Sequence, residues 1–124
     1  MIIKLTDIQR IEGNVITLKN GKSHIASLPV MTQIATEGKS ILHGMDIVCN
    51  NLQRLYDLKK VKMEILQCKI AMDGFPEHAR EYNDLAGVID GVAEALHYTQ
   101  ENRECIMKHV RNASIWLCGK GVII

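Results

Sequence analysis

The sequence carries no large surplus of charge of either sign: fifteen Lys/Arg stand against fourteen Asp/Glu, leaving +1. Without a global basic field, nonspecific binding to DNA or RNA is disfavoured, because such binding rests on neutralising phosphates. No apolar run reaches the roughly 18 residues that a membrane-spanning helix needs. The start Met1-Ile2-Ile3-Lys4 lacks a basic region followed by an apolar stretch of signal length. The expectation is a soluble, cytoplasmic chain with no membrane partner and with nucleic acid an unfavoured one. The four cysteines, Cys49, Cys68, Cys105 and Cys118, are widely spaced and form no CxxC pair. The five histidines are equally scattered, with no HExxH or HxH, so no metal and no cofactor is expected and the thiols read as reduced and buried. Gly-Lys-Ser occurs at 21–23 and at 38–40, but neither has the GxxxxGK[ST] spacing that cradles a phosphate. With no GxSxG and no paired-carboxylate motif either, the chain does not read as an enzyme.

What is present suits one compact domain, 1–124. At 124 residues, 47% apolar and 23% charged, the chain can bury a core without disulfides and is not disordered. The expected class is α+β: a small N-terminal antiparallel β-meander (1–27), a long antiparallel αα-hairpin (28–117) and a short C-terminal strand (118–124). From Ile3 to Ile25 the residues are rich in Ile, Val, Leu and Thr, punctuated by Gly13-Asn14 and Asn20-Gly21. Those pairs are hairpin signals, giving strands near Ile3–Glu12, Val15–Lys19 and Lys22–Ala26.

Ser27-Leu28-Pro29 marks a helix start, with Ser as a cap and Pro in the tolerated first turn. Gly38 and Gly44 weaken the next stretch, which predicts a short helix, a break near Gly38 and a long helix from about Ser40 to Asp73. Its apolar stripe is Val48, Leu52, Leu55, Leu58, Val61, Ile65, Cys68 and Met72, one face of a helix. Asp73-Gly74-Phe75-Pro76 then turns the corner, with Gly in the left-handed position and Pro opening the next helix. Tyr82, Leu85, Ile89, Val92, Leu96, Thr99, Arg103, Ile106, Val110, Ala113 and Leu117 repeat at alternating spacings of three and four, a coiled-coil-like seam. A helix of roughly 38 residues from Glu77 to Ser114 spans about 55 Å, too long for so small a chain to wrap. That length predicts a homo-oligomer. Val122-Ile123-Ile124 could add a strand to a sheet, including a neighbour's.

Few residues stand out as chemistry. Glu94-Ala95-Leu96-His97 is an ExxH, and Glu64 could add a ligand, but heptad phase turns Glu94 and His97 away from the seam. Arg103 is different, since it occupies a seam position. There it is either salt-bridged, to Glu101, Glu104 or another subunit, or it is a phosphate ligand. Arg111 lies two turns on with His109 between, so three cationic donors gather at one helix end. Toward the other end Phe75, Tyr82 and Asn83 supply aromatic and amide groups suited to a base; alternatively Phe75 staples the corner and Tyr82 packs on the seam. An antiparallel two-fold dimer would bring the two ends together across an interface.

A short antiparallel sheet carrying two long helices, in a chain of this length without a catalytic motif, resembles the phage Thoeris anti-defence family one. The resemblance covers the whole chain and rests on architecture rather than on a diagnostic string. It implies an oligomeric sponge, a dimer or hexamer, that sequesters a cyclic nucleotide immune signal of the cyclic ADP-ribose type, and for some members cyclic oligonucleotides, without cleaving it. It also implies that aromatic, Asn and Arg groups near protomer interfaces hold the ligand, a role open to Phe75, Tyr82, Asn83, Arg103 and Arg111. The rival reading is a helical scaffold or protein-interaction module with no small-molecule ligand.

Overall fold

The computed structural model describes residues 4–123; Ile3 and Ile124, assigned above to the first and last strands, lie outside them. A 3-10 turn (Leu5–Asp7) leads into three strands, β1 (Ile8–Glu12), β2 (Val15–Leu18) and β3 (Ser23–Ile25). They form an antiparallel sheet in the order β1-β2-β3. Two long helices follow, α1 (Leu28–Asp73) and α2 (Pro76–Gly119), joined as a hairpin. The α+β expectation therefore holds. Contacts group the described residues into two compact units, one running to Met45 and resuming at Glu101, the other Asp46–Gln100.

In the first unit the sheet is shaped by its turns. Gly13, at φ 60°, opens the two-residue link between Glu12 and Val15, a positive φ that suits glycine at the first position of a type II′ hairpin. The second link is longer than Asn20-Gly21 alone. Gly21 N–H donates to Leu18 O and Leu18 N–H to Lys22 O, giving a three-residue loop with Gly21 left-handed at φ 87°. A bulge between Ile8 and Arg10 breaks the strict alternation of β1, which is why Ile8 and Ile11 are both buried although three positions apart. They join Leu5, Ile16, Met31, Ile34, Ala35, Ala113 and Leu117 in one core.

The predicted break at Gly38 does not occur: α1 is continuous across it. Gly38 is buried, and a Cβ there would collide with the Val110 side chain of α2. The glycine is explained by close helix approach rather than by helix termination.

No strand forms at the C-terminus among the described residues. α2 runs on to Gly119, beyond the expected Ser114. It closes with Gly121 N–H on Cys118 O, Val122 N–H on Leu117 O and Gly121 at φ 82°. These bonds make a Schellman cap, and Val122 folds back onto the core instead of extending to pair.

In the second unit Leu66, Leu85 and Ile89 are buried, with Tyr56, Met63 and Tyr82 packed against them. The α2 seam appears as predicted, buried or half-buried at every position from Tyr82 to Leu117. The α1 stripe does not. Val48, Leu55, Leu58, Val61, Ile65 and Met72 are exposed, and the residues withdrawn from solvent are Cys49, Leu52, Tyr56, Lys59, Met63, Leu66 and Ile70, a neighbouring stripe with the same three-four spacing. Three of the four cysteines, Cys68, Cys105 and Cys118, are likewise exposed rather than buried, and all four are free.

Gly38→Ala should destabilise the protein by about 1–3 kcal/mol, because the added methyl overpacks the helix contact, whereas Gly44→Ala, with open space around it, should be neutral or stabilising. Urea unfolding followed by circular dichroism measures both.

Candidate ligand site

The helix corner is built by local hydrogen bonds. Gly74, at φ 65°, donates to Ile70 O. Asp73 accepts from Phe75 N–H at 3.0 Å and from His78 Nδ1 at 3.1 Å. The Phe75 amide, and then the imidazole, hold the Asp73 carboxyl below the usual carboxylate range. His78 is thus a corner residue bonded to Asp73. Phe75 lies against the His78 ring, centroids 5.8 Å apart, yet remains 57% exposed. Tyr82 is half-buried in the seam; its hydroxyl accepts from Gln67 at 3.2 Å, so the ring serves packing. Asn83 is exposed.

Arg103, His109 and Arg111 belong to the other unit. Arg103 is half-buried at its seam position and engaged by neighbouring groups. Arg111 is exposed. His109 is buried at 5% exposure, and its Nε2–H donates to the carbonyl of Ile8 at 3.1 Å. That bond fixes the tautomer and leaves Nδ1 buried without a partner. Asn112 repeats the move one turn on, donating to Ile11 O at 3.2 Å. Together they fasten α2 along the free edge of β1, covering carbonyls that would otherwise invite strand pairing. His109 is therefore a structural tie rather than one of three cationic donors at the helix end. Burial is the main reason its pKa is lowered, with Lys19 and Lys108 adding repulsion against the Ile8 bond.

Among the described residues, three clefts bear on ligand binding. One of about 410 Å³ is lined by Lys62, Leu66, Glu81, Asp84, Leu85 and Val88; two carboxylates against one ammonium disfavour phosphate there. A smaller one of about 140 Å³ joins Tyr56 and His97 to the amides of Gln53 and Gln100. The third, about 360 Å³, lies in the first unit between the β1–β2 turn and α2, bordered by Gly13, Asn112, Ile115 and Trp116 among others. Lys120 Nζ sits 5.6 Å from the centre of the Trp116 ring. Trp116 and Lys120 bring an aromatic and a cation together in the unit that holds Arg103 and Arg111. No pattern pointed to them, because a lone Trp at a helix end has no spacing to read.

Among the described residues no group of three or more His, Cys, Asp and Glu could hold a metal ion, and Glu94 and His97 are exposed. No helix among them is long and apolar enough to cross a membrane. Comparison with protein-family models, with curated proteins and with solved structures gives no match.

The His109 arrangement generates a pH prediction. The folded state holds the imidazole neutral with its pKa below the ordinary 6.5, so below that pH the unfolded chain binds the proton more readily. Stability should be fully present above pH ~6.5 and fall as the solution is acidified. A thermal melt series from neutral to acid pH should show a declining Tm, and His109→Gln should flatten that decline.

Proposed function

We propose that the chain is a non-catalytic binder that sequesters a compact phosphate-bearing nucleotide, of the cyclic ADP-ribose or cyclic oligonucleotide class, at a site completed by a second copy. The observation that carries this reading is the placement of the two arginines. Arg103 is a guanidinium held at a half-buried position in an otherwise largely apolar seam, with Arg111 exposed two turns on. Both are suited to phosphate. The base side comes from Phe75 and Asn83, accessible residues of the other unit, contributed by a partner copy. His109 and Tyr82 drop out of the ligand set because the first is bonded to Ile8 and the second packs in the seam. Sequestration without chemistry fits a sequence in which no GxSxG, HExxH or paired-carboxylate motif occurs. It is also the behaviour that the resemblance to the anti-defence family implies. The scaffold reading keeps one specific support, the exposed apolar face of α1.

Charge-assisted phosphate contacts contribute about 1.5–3 kcal/mol each. Arg103→Ala should therefore weaken binding of cyclic ADP-ribose isomers or cyclic oligonucleotides by at least ~10-fold in calorimetry, with Phe75→Ala also weakening it. A weaker ligand after Trp116→Ala but not after Phe75→Ala would move the base to the Trp116 cleft. No heat from the wild type with any of these nucleotides would leave the scaffold reading in place. So would a fall in Arg103→Ala thermal stability with nucleotide binding unchanged.

A further inference from the structure

We infer that the outer face of α1 between Ile47 and Met72 is a docking surface for a second copy of this chain. The inference specifies the contact that the shared-site reading requires. Ile47, Val48, Leu55, Leu58, Val61, Ile65 and Met72 are 39–86% exposed, and all lie in the Asp46–Gln100 unit. On a helix they form one stripe beside, and distinct from, the stripe that packs within the hairpin. A soluble monomer scatters such residues singly; seven large apolar side chains on one helix face, interrupted by Arg54, Lys62 and Lys69, mark an interaction site.

Two features favour a second copy over other occupants. The first is area. Seven roughly half-exposed large side chains offer on the order of 600 Å² per copy, close to the roughly 800 Å² per partner of a standard stable interface once polar borders are added. The second is charge. Arg54, Lys62 and Lys69 lie in the rows of the stripe itself and Asp57 and Glu64 flank it on one side, all exposed. An anionic lipid surface or a nucleic acid would call for a uniformly basic border. The presence of both signs on one face suits a partner that presents the same set in return, as an isologous two-fold contact does. The apolar side chains then meet their own kind.

The test is sedimentation velocity at micromolar concentration on the full chain and on a Leu58→Glu, Ile65→Glu double variant, with circular dichroism to follow helicity. Both positions are exposed in the hairpin, so the helix should form in the variant. The expected result is an even-numbered oligomer for the wild type and a smaller species, down to the monomer, for the variant. A Val61→Gln, Ile65→Gln pair keeps the question open to measurement if the glutamates unfold the chain. A monomeric wild type overturns the inference, including one that instead co-sediments with phospholipid vesicles. A folded variant as large as the wild type overturns it too, since self-association would then use another face. Calorimetry separates this from the ligand proposal: an oligomeric wild type that binds no nucleotide leaves this interface standing and removes the ligand. A monomeric variant that binds nucleotide as tightly as wild type removes only the idea of a shared site.

Discussion

The α2 seam is the constraint on which the rest of the molecule depends. Its residues alternate at spacings of three and four from Tyr82 to Leu117 and are buried or half-buried throughout. Within the first unit it meets the N-terminal part of α1 at Gly38, where the missing Cβ admits Val110. The same stretch of α2 sends His109 and Asn112 to the β1 edge. A meander of three short strands is marginal alone; here Ile8, Ile11 and Ile16 share a core with residues from both helices. In the second unit the seam gathers Leu66, Leu85 and Ile89. One repeated pattern thus supplies helix pairing and sheet docking together.

The parts legible in the sequence were those whose signal is local or strictly periodic. Turn glycines placed the meander, Gly74-Phe75-Pro76 placed the corner, and the α2 repeat placed the seam. The errors have physical causes. On α1 the stripe of Val, Leu and Ile is more hydrophobic than the one containing Cys49, Tyr56, Lys59 and Met63, so hydrophobicity selected the face that points outward. Gly38 looked like a helix breaker because a glycine's propensity cost is visible in sequence and a tertiary contact with Val110 is not. The terminal Val122 reads as strand by composition, yet a Schellman cap gives it a core contact that no local pattern announces.

The same division applies to the site. Heptad arithmetic placed Arg103 on the seam, and its half-burial agrees with that position. It could not tell that His109, one turn and a half along, faces a strand carbonyl, because the partner Ile8 is distant in sequence. Nor could it weigh Tyr82 as packing against Tyr82 as ligand. The described residues place Arg103 and Arg111 in one unit, Phe75 and Asn83 in the other, and leave a set of apolar side chains on α1 exposed. These features share an explanation if the working form contains more than one copy and holds its ligand between them.

Native mass spectrometry of the protein purified gently from the cells that make it tests that explanation most directly, because it reads assembly and cargo at once. The account predicts an even multiple of the chain mass carrying additional mass in the range of a small nucleotide, released on denaturation. A single-chain species with no retained molecule would contradict it.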